Sequence, residues 1–171
     1  IKLKLFIDKY YNDIGMAEVG MNRYTDTNHF VSIMTILREA EIEPNEELPE
    51  KWSNSLIAYE SKLKSYSYFD FTMIMTEVVN HLFNDDNFRH KIFSSLKYLI
   101  VDEYQDVNPI QEQLITELSK SGANICVVGD DDQTIFEWRG GDVRYIQTFK
   151  ERYENVKYIK LEDNFRSTPG I

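Results

Sequence analysis

Apolar residues recur along the first half of the chain at the three-to-four spacing of amphipathic helices. Leu3, Ile7, Tyr10 and Ile14 form one stripe, and Phe30, Ile33, Met34 and Leu37 form a second. Trp52, Leu56, Tyr59 and Leu63 form a third. The longest runs through Phe71, Ile74, Met75, Val78, Val79 and Leu82, with Asp70 placed to cap the helix start. Each stripe is read as a core face. Residues 41–50 hold Pro44 and Pro49 among several acids and are read as a loop. Near residue 95 the pattern changes. Residues 98–101 and 125–128 are short unbroken apolar runs, as expected of strands buried on both faces, and residues 156–161 are read as a third strand. Asn108-Pro109 supplies a cap and a proline at the first helical position, opening a helix through Ile110, Leu114, Ile115 and Leu118. Asp142 is read as the cap of another, through Val143, Ile146 and Phe149. The order strand-helix-strand-helix-strand predicts an α/β fold with a parallel sheet and right-handed crossovers, behind an all-helical N-terminal part.

Composition narrows this picture. With 171 residues, 42% of them hydrophobic, the chain can build one domain with a core, or one domain with a small insert. It opens on Ile1 rather than Met and closes just past a motif, so it is read as an internal piece of a longer protein. No stretch is long and apolar enough to cross a membrane and no signal peptide is visible, which gives the expectation of a cytoplasmic protein. Cys126 is the single cysteine, which excludes an internal disulfide or a cysteine-based zinc site. Its neighbours Ile125, Val127 and Val128 predict a buried structural thiol. The net charge of −10 argues against autonomous nucleic-acid binding, which favours basic domains. A local DNA contact inside a larger, more basic protein remains compatible with it.

The chemistry concentrates where the strands end. The first runs into Asp102-Glu103-Tyr104-Gln105-Asp106, the second into Gly129-Asp130-Asp131-Asp132-Gln133, and the third into Glu162-Asp163-Asn164-Phe165-Arg166. In a parallel sheet these carboxyl ends share one edge, where open α/β folds bind ligands. An apolar strand ending in Asp-Glu suits a nucleoside-triphosphate site. The Asp can hold Mg²⁺ through water, and the Glu can take a proton from attacking water. Gln133 suits sensing a γ-phosphate or orienting water, and Arg166 could neutralise charge on a phosphoryl group in transfer. The phosphate cradle such a site needs, G-x-x-x-x-G-K-[ST], is not in these 171 residues. Gly15 and Gly20 have its glycine spacing, but Met21 and Asn22 stand where Lys and Ser or Thr belong. Phe136, Trp138 and Arg139, followed by Gly140-Gly141, could stack on bases and pair with phosphate, or simply pack.

Val101-Asp102-Glu103-Tyr104-Gln105-Asp106, with Val107-Asn108 and Gln111, resembles the Walker B segment of UvrD/Rep-type superfamily 1 DNA helicases. The run from Val128 through Gln133 and Trp138 to Gly140 resembles their next motif, and Leu161-Glu162-Asp163-Asn164-Phe165-Arg166-Ser167 the one after, in the same order and spacing. The resemblance covers about residues 96–171. It implies a partial RecA-like P-loop NTPase sheet, with ATP and Mg²⁺ as cofactors and single-stranded and duplex DNA as partners. By position it implies Asp102 as the magnesium ligand, Glu103 as the catalytic base, and Gln133 and Arg166 on the γ-phosphate. Gln105 is placed with Asp102 and Phe165 among the cofactor-binding residues, with Phe165 stacking on adenine. Phe136 and Trp138 would stack on single-stranded DNA, with Arg139 nearby. Phe69-Asp70-Phe71-Thr72-Met73 resembles the segment by which a helical insert of this family rejoins its motor domain, with Met73 where an acid often stands. Residues 1–94 would then be that insert and residues 95–171 the second half of the first motor domain. The Walker A half and second motor domain would lie in the remainder of the same polypeptide, and the piece alone would be inactive.

Two other readings stand beside the motor. A two-metal nuclease could be built from Asp102, Glu103 and Asp130-Asp131-Asp132, but it leaves Gln133, Trp138 and Arg166 without a role. A non-catalytic interaction module derived from a helicase would account for the missing cradle, against the intact motif residues.

Overall fold

The computed structural model describes residues 2–39, 48–133 and 141–163, together with Phe165 and Thr168. Five helices come first: α1 (Lys2–Lys9), α2 (Thr27–Glu39), α3 (Glu50–Ser65), α4 (Phe71–Asn84) and α5 (Asp86–Ser95). The stripes read from the sequence supply much of their core. Phe6, Ile7, Ile14, Phe30, Met34, Leu37, Leu56, Tyr59, Leu63 and Met73 gather in one buried cluster. Between α1 and α2 the chain turns repeatedly. Gly15 takes φ +70°, and a Cβ there would lie 3.3 Å from Ser55 on α3, whose hydroxyl donates to the Ile14 carbonyl at 2.6 Å. Close packing of a turn on a helix therefore accounts for this glycine. Two apolar residues of the α4 stripe depart from expectation. Phe71 and Ile74 are exposed, because α4 buries the Thr72, Met73, Val79 and Leu82 face instead.

Asp70 joins three of these helices. Its side chain accepts from the Met73 amide at 2.9 Å, capping α4 as the sequence suggests. The same carboxylate accepts from Arg38 Nη1 and Nη2 at 3.1 and 2.7 Å and from the Tyr59 hydroxyl at 2.9 Å. Burial alone would raise the Asp70 carboxyl. The Arg38 hydrogen bonds and charge, with the Met73 and Tyr59 donors, outweigh it and hold the group below the ordinary Asp value. Glu39, at the end of α2, accepts from Thr72 Oγ1 at 3.1 Å and from Asn108 Nδ2 at 2.8 Å. It thus ties the helical part to the helix that follows the first strand.

That second part holds β1 (Tyr98–Val101), α6 (Pro109–Ser119), β2 (Asn124–Val127), α7 (Arg144–Gln147) and α8 (Phe149–Arg152). The two strands pair in parallel, Tyr98 opposite Asn124 through Val101 opposite Val127. Asn108 caps α6 in a full capping box with Gln111, Pro109 standing at its start. Four expectations are corrected. Each strand is covered on one face only: Leu99, Val101 and Val127 pack against Tyr104, Val107, Ile115 and Phe149, while Tyr98 and Ile100 are 71% and 73% exposed. Cys126, on the uncovered face, is exposed rather than buried. Residues 156–161 form no strand, because their backbone does not pair with β2; a cavity of about 900 Å³ opens between Asn124, Ile125, Cys126 and Val127 on one side and Val156 to Ile159 on the other. The helix expected from Asp142 onward is broken at Thr148 into α7 and α8. Asp142 still accepts from the Arg144 amide at 3.0 Å, one position ahead of the helix cap at Val143.

Candidate nucleotide site

Parallel pairing sends both chains out on the same edge. The Val128 amide donates to the Val101 carbonyl at 2.8 Å, and the chain then returns the contact, Tyr104 N–H to the Val128 carbonyl at 2.9 Å. Asp102 and Glu103 thus leave β1 beside Gly129 and Asp130 leaving β2. Asp102 is exposed; its Oδ1 accepts from the Glu103 amide at 2.9 Å, and Oδ2 has no hydrogen bond among the described residues. Glu103 is exposed as well and takes left-handed backbone angles, φ 51° and ψ 43°, which a non-glycine residue adopts at a cost of roughly 1–3 kcal/mol. A one-turn 3-10 helix, Tyr104–Asp106, follows directly.

Between the two loops lies Gln105, 1% exposed. Its Nε2 donates to Glu103 Oε2 at 2.8 Å and its Oε1 accepts from the Asp130 amide at 3.0 Å. Asp130 Oδ2 in turn accepts from Gln133 Nε2 at 2.7 Å, and Oδ1 from the Asp132 amide at 3.1 Å. Gly129 is required by this closeness: a Cβ there would meet Gln105 Oε1 at 2.6 Å and Ile146 Cδ1 at 2.7 Å.

Tyr104 anchors the loop from below. It is fully buried, its hydroxyl donates to Glu112 Oε2 at 2.5 Å, and its ring meets Phe149 edge-on at 5.5 Å. Arg152 pairs with Glu112 and donates to the Tyr104 hydroxyl at 3.2 Å. Burial, then the Glu112 contact, raises the Tyr104 phenol far above its ordinary value and keeps it a donor. A cavity of about 390 Å³ adjoins Asp102, Glu103 and Asp106, closed by Met75 of α4 and by Gln111, Leu114 and Ile115 of α6. Asp106 Oδ1 is buried there without a hydrogen-bond partner among the described residues. Burial, and then the charge of Glu103, raises its carboxyl above the ordinary value.

Of the residues singled out from sequence, Asp102, Glu103, Gln105 and Gln133 are thus brought together. Phe165 is 94% exposed. Phe136, Trp138, Arg139 and Arg166 lie outside the described residues. Sequence reasoning missed the Asp130 carboxylate as the partner of Gln133 and the contact of Gln105 with both loops. A buried amide in the loop past a strand end carries no periodic signal of its own.

Comparison with known proteins identifies the family. A family model described as the UvrD/REP helicase N-terminal domain matches residues 17–154. The ATP-dependent DNA helicase Rep of Buchnera aphidicola subsp. Baizongia pistaciae is 38% identical over 113 residues, 66% of this chain and 17% of that protein. Rep of Escherichia coli K12 is 36% identical over 113 residues, again 66% of this chain and 17% of that protein. The ATP-dependent DNA helicase PcrA of Bacillus subtilis 168 is 48% identical over 75 residues, 44% of this chain and 10% of that protein. The chain thus spans under a fifth of the length of the relatives it matches.

Proposed function

The chain belongs to the UvrD/REP helicase family, and on that footing we propose that it is part of an ATP-dependent DNA helicase motor. One observation carries the reading: parallel strands bring Asp102-Glu103 and the loop of Gln133 to one edge, joined by hydrogen bonds. Residues 95–171 would be the second half of a RecA-like motor domain and residues 1–94 its helical insert. The unpaired edge of β2, facing residues 156–159 across a cavity, leaves room for a further strand from elsewhere in the polypeptide.

The residues at the strand end fit a magnesium ion. Asp102 offers a hard oxygen, Oδ2, that no protein donor occupies among the described residues. No three His, Cys, Asp or Glu side chains cluster to bind a metal by themselves among those residues. That donor set suits Mg²⁺, which keeps much of its water and binds through one or two carboxylates plus substrate phosphates, and speaks against a two-metal nuclease. Bound there, the ion would offset phosphate charge. Glu103, exposed and held by Gln105, would take the proton of the attacking water. Gln133 would leave Asp130 to meet the γ-phosphate, with Arg166 completing the charge balance and Phe165 stacking on adenine. Phe136 and Trp138 would stack on single-stranded DNA beside Arg139, linking strand movement to hydrolysis.

The test is ATP hydrolysis by the complete protein with and without single-stranded DNA, compared with its Asp102→Asn variant. DNA-stimulated, magnesium-dependent hydrolysis that the variant loses is the expected result. Metal-dependent DNA cleavage without ATP would overturn the reading in favour of a nuclease.

A further inference from the structure

Gln105 stands among exposed, charged neighbours, yet it is the buried member of the group. Both ends of its amide are committed, and chemistry alone fixes which way it points. Turned over, its oxygen would face the Glu103 carboxylate and its NH₂ the Asp130 N–H, so neither contact would survive. A continuous row of hydrogen bonds therefore runs from Glu103 through Gln105 and Asp130 to Gln133. Gly129 admits no side chain against Gln105, so the backbone of the second loop rests directly on the amide. Glu103 sits in left-handed backbone geometry, and such geometry persists only where the surroundings hold it. Gln105 supplies a side-chain hold on its carboxylate.

We infer that Gln105 is a positioning residue that orients the Glu103 carboxylate and couples that orientation to the loop carrying Gln133. The inference rests on the proposed role of Glu103 as the base. When Gln133 leaves Asp130 for a phosphate, Asp130 is freed on its carboxylate side while its N–H still bears on Gln105 Oε1. A shift of that loop is transmitted through a rigid, planar amide to Glu103. The base is thereby placed according to whether the neighbouring loop has engaged its ligand.

The complete helicase tests this with three variants: Glu103→Gln, Gln105→Met and Gln105→Asn. The first measurement is single-stranded-DNA-stimulated turnover, resolved into kcat and KM. The second is direct binding of a non-hydrolysable ATP analogue. Met keeps the length of Gln without its polar ends, and Asn keeps the amide one methylene too short to span both partners. For Gln105→Met, kcat should fall by about tenfold or more while KM and analogue affinity stay within about threefold, the pattern of an interaction needed in the transition state alone. Gln105→Asn should fall in the same way. Near-normal kcat in Gln105→Met, beside a Glu103→Gln variant that has lost hydrolysis, would overturn the positioning role and leave the base intact. Loss of analogue binding along with turnover in both Gln105 variants would also overturn it, making Gln105 a residue of nucleotide binding or of folding. Normal turnover in Glu103→Gln would instead remove the base reading, and this inference with it.

Discussion

Glu103 combines two costs that an ordinary loop residue avoids: left-handed backbone angles without being glycine, and an exposed carboxylate tied to a buried amide. A base needs such definition, because proton transfer falls off steeply with misplacement. In the complete protein, Glu103→Gln keeps size and hydrogen bonding and removes the proposed base. Hydrolysis should drop by about a hundredfold or more while ATP binding survives. Steady-state turnover beside analogue binding checks this, and near-normal turnover would exclude Glu103 as the base. Tyr104 makes a separate, structural case. Tyr104→Phe leaves the buried Glu112 carboxylate without the hydroxyl that Arg152 also meets, at a cost of about 1–3 kcal/mol. Urea unfolding of the 171-residue chain measures it, and an unchanged midpoint would mean that Arg152, Thr116 and Tyr153 satisfy Glu112 without it. At this scale the sequence made legible that Asp102, Glu103, Gln105 and Gln133 share one edge, since each follows a strand of a parallel pair. It did not show that Gln105 bridges the two loops, because that contact reaches a loop 25 positions away.

The helices were read well where apolar residues recur at helical spacing and a cap marks the start. Asp70 before α4 and Asn108 before α6 behave as their sequence suggests. α5 escaped, because none of its residues is buried and it therefore shows no stripe. Residues 156–161 suggest a third strand, but a strand exists only when a neighbour accepts its hydrogen bonds, and these residues have none among the described residues. Asp70 gives the element scale its sharpest prediction. Its carboxyl is depressed in the folded chain, so its contribution is fully present above the ordinary Asp value of 3.8. That contribution is lost as pH falls through the lower folded value. Unfolding midpoints followed from pH 6 down to about pH 3 should show this loss. Asp70→Asn keeps a capping oxygen but removes the charge paired at 2.7 Å with Arg38, whose side chain is 7% exposed. It should destabilise the chain by about 3–5 kcal/mol at neutral pH and flatten the acid limb. An acid limb unchanged in Asp70→Asn would assign it to other carboxylates.

The described residues form a helical unit tied to a two-stranded sheet that leaves one face open and, among those residues, both outer edges unpaired. Tyr98, Ile100 and Cys126 occupy that face, where strands of a complete parallel sheet would be covered. In the 171-residue chain Cys126 should react with a maleimide as fast as a small-molecule thiol, and in the complete protein it should be protected. Equal reactivity in both would mean the rest of the polypeptide does not cover this face. The same incompleteness bears on the proposed catalysis. Asp102, Glu103 and Gln133 assemble on one edge, yet these 171 residues contain no G-x-x-x-x-G-K-[ST] to cradle phosphates. The carboxylates of Asp102, Glu103, Asp106 and Asp130 meet an incoming nucleotide with like charge, in a chain whose net charge is −10. Without the cradle's backbone amides and lysine, a base in position has no oriented phosphate to act on. ATP hydrolysis by the purified 171-residue chain should therefore stay at the level of its own Glu103→Gln variant, with magnesium present and with or without single-stranded DNA. Release of phosphate clearly above that level would show that this edge binds and orients a nucleotide unaided, and the division of the site between two stretches of polypeptide would have to be abandoned.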